Sequence, residues 1–203
     1  MIRSNFPEVP DFASDIAHRF PHLSTLCFNV AVPEGLASRE EFCAAELLDD
    51  DQVAELVSEE FRARLRQLAP PSVSVHTTDN QNLVMHPERV AQRVDTLVMQ
   101  VEPDGRVRGI PVYEGTVGSL LEEPGQVLWE RTLERLEDPF VVETLSSVRS
   151  MQTWARAVRR MDRHFGTPDD LARFERRTVR TNPPEFVMPV EAAAPGPRRH
   201  TSA

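Results

Sequence analysis

The chain has 203 residues, of which 40% are hydrophobic, and this length is enough to bury a core and form one globular domain. Its formal net charge is −9, and all 23 basic residues are arginine. Without lysine the chain cannot form a Schiff base with pyridoxal phosphate or a carbonyl substrate, and it lacks the phosphate-binding lysine of P-loop proteins and protein kinases.

The charge is unevenly distributed along the chain. Residues 1–60 contain three arginines against thirteen acidic residues, a balance of −10, whereas later arginines are concentrated between Arg149 and Arg180. An acidic first part argues against nucleic-acid binding. No apolar run is long enough to span a membrane, and the first residues lack the apolar segment of a signal peptide. We therefore expect no nucleic-acid and no membrane partner.

The two cysteines, Cys27 and Cys43, are too few for a disulfide framework. Each lies in an apolar context that is typical of a buried free thiol. Because burial raises the pKa of a thiol, we expect alkylation to leave any activity intact. Free thiols fit a reducing compartment, and the predicted location is the cytoplasm.

Two helices are predicted in the first 50 residues, on either side of a strand. Apolar residues in the segment 10–20 have the spacing of an amphipathic helix. Residues 24–32 are rich in β-branched and aromatic side chains, which is typical of a buried strand. Ser38, with Glu41 three residues later, matches a capping box at the start of the second helix.

A run of three aspartates, Asp49–Asp51, precedes the next predicted helix. Carboxylates are favourable at a helix N-terminus, and apolar residues then continue at helical spacing from Val53 to Leu68, before two prolines. The three carboxylates also resemble a cation-binding cluster, but capping is the favoured interpretation.

The clearest local pattern lies in the middle of the chain. The turn sequence EPDG at residues 102–105 separates two alternating runs, which predicts a β-hairpin of residues 94–101 and 106–113. Together with strands at 24–32 and 72–77, this hairpin predicts a mainly antiparallel sheet of at least four strands.

One long helix is predicted in the last third of the chain, over residues 139–165. Asp138 supplies its N-cap, and apolar spacing continues until Gly166. A short helix follows, and residues 182–203 are rich in proline, alanine and glycine, so an extended tail with a disordered end is expected. The predicted fold is an α+β domain over residues 1–181, with the long C-terminal helix packed on the sheet.

The first candidate site lies where the strand 72–77 ends. Alternation buries the valines of this strand and places His76 on its polar face, close in sequence to Asp79. A carboxylate beside a histidine fixes the ring tautomer and raises its basicity, so this pair is predicted to be a general acid and base. Tyr113 and Glu114, at the end of the hairpin, are predicted to assist. The alternative is a loop whose polar side chains only bind turn backbone.

A metal site has weaker support in the sequence. The triplet His86-Pro87-Glu88 matches the H-x-E pattern of zinc deaminases, but the required P-C-x-x-C pattern does not follow it. His86 and Glu88 with His164 imitate a two-histidine, one-carboxylate iron site, yet His164 falls in the predicted long helix. No metal ligand and no cofactor is therefore assigned.

An arginine face is predicted on the long helix, where guanidinium groups suit the binding of carboxylates or phosphates. Its members are spaced by seven, four and three residues: Arg149, Arg156, Arg160 and Arg163. A solvated face that balances the acidic N-terminal half is the competing interpretation.

Two functions of different classes follow from these patterns. The first is an enzyme that acts on a small polar or anionic metabolite by lysine-independent general acid–base chemistry, in a pocket next to residues 76–88. The alternative is a non-catalytic accessory protein that holds a partner, such as an acidic protein, through its acidic N-terminal half or the arginine face.

Overall fold

The structure, a computed structural model, describes residues 1–92 and 97–176 of the chain, and helices dominate both ranges. The helices are α1 (Val9–Arg19), α2 (Glu40–Glu46), α3 (Asp50–Val57), α4 (Glu59–Leu68), α5 (Pro87–Ala91), α6 (Gly125–Glu137), α7 (Pro139–Ser146), α8 (Met151–Phe165) and α9 (Pro168–Arg176). The strands are β1 (Thr25–Asn29), β2 (Ser74–Thr78), β3 (Gln100–Val101), β4 (Arg106–Arg108) and β5 (Thr116–Ser119).

The predicted mainly antiparallel sheet of at least four strands is wrong. β1 pairs with β2 in a parallel two-stranded sheet, and β3, β4 and β5 form a separate antiparallel sheet. Parallel strands need a long crossover, and the helices α2, α3 and α4 supply it between β1 and β2. The turn at residues 102–105 does reverse the chain, but the hairpin pairs over only two residues of β3. Residues 93–96, at the start of the predicted hairpin, lie outside the described residues.

The predicted continuous helix over residues 139–165 is also wrong, because the chain forms α7 and α8 with a break between them. The N-cap prediction at Asp138 is confirmed by its bond from the backbone of Phe140. The Ser147 hydroxyl then donates to a carbonyl three residues earlier at 2.8 Å, and Ser150 starts α8 with a capping box. Both helices contribute to the same core, so the apolar spacing continues across the break.

Serine residues also change the predicted helices of the first part. Ser58 caps a new helix, so the helix predicted after the aspartates is divided into α3 and α4. Asp49 caps α3 through a capping box with Gln52, as the capping interpretation requires. Ser38 does not cap α2, because its hydroxyl donates to the carbonyl of Gly35 at 2.8 Å.

The main core lies around α8, whose Trp154 and Val158 have no exposed surface. α7 and α2 pack on α8, while α1 and β2 pack on α4. A second, smaller core of Val107, Val117 and Leu128 joins the antiparallel sheet to α6. Among the helices of the described ranges, none has the length and apolar character needed to cross a membrane. The predicted tail, residues 182–203, lies outside the described residues.

The two thiols lie in different environments. Cys43 is buried, as predicted, and burial raises the pKa of its thiol, while the nearby Arg159 acts to lower it. The prediction of burial is wrong for Cys27, which is exposed and donates to Oδ1 of Asn29 at 2.9 Å. The alternation of β1 turns Phe28 toward the core, so Cys27 faces the other side.

Candidate functional site

His76 lies on the exposed face of β2, and Val73 and Val75 are buried, as the alternation predicts. Asp79 follows the strand, and its Oδ1 accepts a hydrogen bond from the backbone N–H of Gln81 at 3.0 Å. This bond is the turn-stabilising contact of the alternative interpretation. Neither His76 nor Asp79 lines any of the three cavities described below. Their role in proton transfer remains a prediction.

Tyr113 and Glu114 are buried beside α8 instead. Tyr113 is 2% exposed, and burial raises the pKa of its hydroxyl far above the ordinary value, an effect that the side chain of Trp154 reduces and the charge of Asp162 reinforces. The backbone N–H of Glu114 donates to Oδ1 of Asp162 at 2.9 Å. Tyr113 and Glu114 therefore lie close to the carboxyl group of Asp162, which was not among the site residues predicted from the sequence.

Asp162 is 5% exposed, although it is an acidic residue on a helix. Burial raises the pKa of its carboxyl group to about 7. The hydrogen bond from the Glu114 N–H and the charge of Arg108 act to lower this pKa, and the charge of Glu114 acts to raise it. Among the described residues, the Glu114 N–H is the only hydrogen-bond donor to this carboxyl group. A signal existed in the sequence, because Asp162 falls four residues after Val158 on the apolar stripe, where a carboxylate is costly unless it has a role.

A glycine allows the chain to bring Glu114 to α8. A Cβ atom on Gly115 would lie 2.3 Å from the Cβ atom of Phe165, closer than any two such atoms can approach. Only a residue without a side chain permits this contact. Gly115 thus allows the segment that carries Glu114 to lie against the end of α8.

Asp162 lines a cavity of about 340 Å³ that we call the main cavity. It lies between α8, α9 and the loop before α2. Its lining consists of three arginines, two carboxylates and four further residues of mixed polarity, namely Arg39, Arg159, Arg163, Asp162, Glu175, Gly35, Ser38, Leu171 and Phe174. Guanidinium groups thus converge on a cavity that also holds a protonatable carboxyl group.

The arginines of the main cavity differ in how they are held. Arg159 donates to the carbonyl oxygen of Ser38 and so joins α8 to the loop before α2. Arg39 has a buried Nη2 atom with no hydrogen-bond partner among the described residues. Arg163 is exposed and forms no ion pair or hydrogen bond within the described ranges. Two of the three guanidinium groups, those of Arg39 and Arg163, therefore form no hydrogen bond within the described ranges.

An ion pair between the half-buried Arg173 and the buried Glu114 holds α9 in place as a wall of the main cavity. Arg173 on α9 contacts the carboxylate of Glu114 at 2.6 Å and that of Asp170 at 2.9 Å. Burial acts to raise the pKa of Asp170, but hydrogen bonds from Thr167 and the charge of Arg173 hold it below the ordinary value. The Glu114 carboxylate therefore anchors α9, while its backbone N–H binds Asp162.

A second cavity, of about 470 Å³, adjoins the main cavity, and we call it the arginine cavity. Arg159 and Arg163 line both cavities. The remaining lining residues are Arg156, Arg160, Glu40, Phe140 and His164. The structure thus brings together three of the four arginines of the predicted face, and it adds Arg159, which the seven, four and three spacing omitted.

Arg149, the fourth predicted arginine, lies apart from both cavities and its Nη1 is 3.0 Å from Nε2 of His86. His164 stacks on Phe140, with ring centroids 3.8 Å apart. His86 and His164, the two histidines of the iron-site pattern in the sequence, therefore have different neighbours. Within the described ranges no group of three or more histidine, cysteine or acidic side chains could hold a metal ion. A third cavity, of about 580 Å³, has a mostly apolar lining. Of residues 76–88, next to which the sequence predicted a pocket, Pro87 lines it.

No family model, no curated protein and no solved structure matches this chain. The function is therefore inferred from the geometry and chemistry of the cavities.

Proposed function

We propose that this chain binds a small anionic metabolite in the main cavity and that the Asp162 carboxyl group exchanges a proton with the bound molecule. The observation that carries the proposal is the buried Nη2 atom of Arg39, which lines this cavity and has no acceptor among the described residues. A buried charged donor without an acceptor is costly. A carboxylate or phosphate oxygen in the cavity would supply that acceptor.

The size and lining of the main cavity suit a small organic anion. A volume of about 340 Å³ falls within the range of small-molecule sites, about 300–1,000 Å³. Leu171 and Phe174 offer apolar contacts, while Arg39, Arg159 and Arg163 offer planar donor groups. This combination favours a ligand with an apolar part and at least one negatively charged group.

Asp162 has the properties of a general acid and base. With a pKa raised to about 7, its carboxyl group is present in both protonation states near neutral pH. The charged groups that face it are Glu114, Arg108 and Glu34, besides the arginines of the cavity. Proton transfer at Asp162 needs no lysine, in agreement with the composition of the chain.

Benzoate and benzamide test the proposal, because they have the same shape and differ in charge. We expect benzoate to bind and to raise the melting temperature, and benzamide to have no effect, in calorimetric titration and thermal melting. Arg39→Gln removes the buried donor group and should weaken benzoate binding about tenfold, the effect of losing one charge-assisted hydrogen bond.

Arg149→Gln is the control, since it removes the same charge from an arginine next to α8 that lines neither cavity. Its benzoate affinity should equal that of the unmodified protein. The proposal is wrong if benzoate does not bind, or if Arg39→Gln binds it as tightly as the Arg149→Gln control does.

A second candidate function is the binding of an acidic protein partner without catalysis. The observation in its favour is that Arg156 and Arg163 are exposed and form no ion pair within the described ranges. This function would give binding of a poly-glutamate peptide that Arg156→Gln weakens, together with no binding of benzoate.

A further inference from the structure

We infer that the arginine cavity is a subsite for a phosphoryl group, so that the metabolite bound by this chain is a phosphorylated organic molecule. The identity of the organic part rests on the proposed function of the main cavity. The phosphoryl subsite itself depends only on the arginine cavity, and the two can be tested separately.

The charge of the arginine cavity matches a phosphate monoester. Four arginines line it, and Glu40 is the single carboxylate of its lining. Arg160 is also paired with Glu143 at 2.9 Å, so a formal excess of two positive charges remains. A phosphate monoester carries about −1.5 to −2 at neutral pH, whereas a single carboxylate would neutralise only half of this excess.

Two of the four guanidinium groups are free to bind such an anion. Arg156 and Arg163 are exposed and form no hydrogen bond or ion pair with another described residue. They lie seven residues apart on α8, and Arg159 and Arg160 fill the turn between them, so all four side chains leave neighbouring turns of one helix. Arginine in this arrangement binds several oxygens of one phosphate through paired N–H groups.

Helix electrostatics alone do not account for this cluster. Cations are favourable in the last turn of a helix because of its dipole, which explains Arg163 and His164 at the end of α8. The effect falls off within that turn, so it does not explain Arg156, two turns earlier. A bound dianion would account for Arg156 as well as for Arg163.

The two cavities adjoin at Arg159 and Arg163, which line both. A molecule with its organic part in the main cavity and its phosphoryl group in the arginine cavity would therefore contact both arginines. The stacked rings of Phe140 and His164 form another wall of the arginine cavity. The same molecule places its organic part beside Asp162.

Inorganic phosphate, benzoate and phenyl phosphate separate the two subsites in calorimetric titration. We expect Arg156→Gln to weaken phosphate binding about tenfold and to leave benzoate binding within about twofold, because Arg156 lines only the arginine cavity. Arg39→Gln should weaken benzoate binding about tenfold and leave phosphate binding within about twofold, because Arg39 lines only the main cavity. Phenyl phosphate should bind about tenfold tighter than phosphate, because its ring also contacts the main cavity, and Arg156→Gln should weaken it. Arg39→Gln should not, because a phenyl ring offers no acceptor oxygen to Arg39.

Arg149→Gln is again the control, and thermal melting should show that the exposed Arg156→Gln variant folds normally. Phosphate binding that is absent, or that Arg156→Gln leaves unchanged, overturns the phosphoryl subsite even if benzoate binding depends on Arg39. Phosphate binding that depends on Arg156, with no binding of benzoate, overturns the proposed function of the main cavity instead. If phenyl phosphate binds no tighter than phosphate, the inference that one ligand spans both cavities is wrong.

Discussion

The carboxyl group of Asp162 couples the stability of this protein to pH. Its pKa is raised to about 7 in the folded chain, whereas an aspartate in an unfolded chain has a pKa of about 3.9. Between these two values the folded state binds more protons than the unfolded state. The free energy of unfolding therefore falls as pH rises through this window, by at most about 1.4 kcal/mol per pH unit.

Asp162→Asn tests this coupling, because an amide does not titrate and its oxygen can still accept the bond from Glu114. We expect the variant to gain stability relative to the unmodified protein from about pH 4 to about pH 7, and the difference to level off at higher pH. Urea unfolding at several pH values measures it. A difference that does not change with pH would mean that Asp162 titrates in the folded chain as it does in the unfolded one.

Among the secondary-structure elements, α9 is joined to the rest of the molecule by ion pairs of Arg173 with Glu114 and of Asp170 with Arg106. Its Arg173 lies against two buried carboxylates, of which Glu114 is 5% and Asp170 is 4% exposed, while Arg173 itself is 38% exposed. Loss of one partner of a fully buried pair costs about 3–5 kcal/mol, and solvent contact at Arg173 lowers this cost. The same helix supplies Leu171 and Phe174 to the main cavity.

We expect Arg173→Gln to reduce the free energy of unfolding by about 2 kcal/mol and to weaken benzoate binding, because α9 loses its anchor. Arg176→Gln is the matched control on the same helix, and its exposed side chain should change stability by less than about 0.5 kcal/mol. Urea unfolding measures the free energy of unfolding of both variants. Equal stability of the two would show that apolar contacts, not the ion pairs, hold α9.

The sequence predicts where the helices lie better than where they end. Each wrong helix end has a physical explanation. Apolar spacing identifies the core-facing side of α7 and α8, but it continues across their break because both pack on one core. Ser58 and Ser150 start new helices, although a serine inside a helix looks the same in the sequence. Alternation likewise identifies strands without naming their partners, so the parallel pairing of β1 and β2 was not predictable from it.

The molecule as a whole repels anions, since its formal net charge is −9. Charges farther away than about 8 Å are largely screened at physiological ionic strength, so the nearby guanidiniums determine what the cavities bind. The arginine spacing on α8 predicted part of this surface. Arg39 was not predictable, because it comes from a loop that only the folded chain brings to α8. Asp162 was indicated only by its place on the apolar stripe.

His76→Ala distinguishes the two sites that this one molecule offers, the end of β2 and the main cavity. The His76 side chain is exposed and lines none of the described cavities. We therefore expect the substitution to change the melting temperature by less than about 2 °C and to leave the benzoate and phosphate affinities within about twofold. The titrations used for Arg39→Gln and Arg156→Gln measure both affinities. If His76→Ala loses anion binding while its melting temperature is unchanged, the site lies at the end of β2, where the pattern of His76 and Asp79 first indicated it.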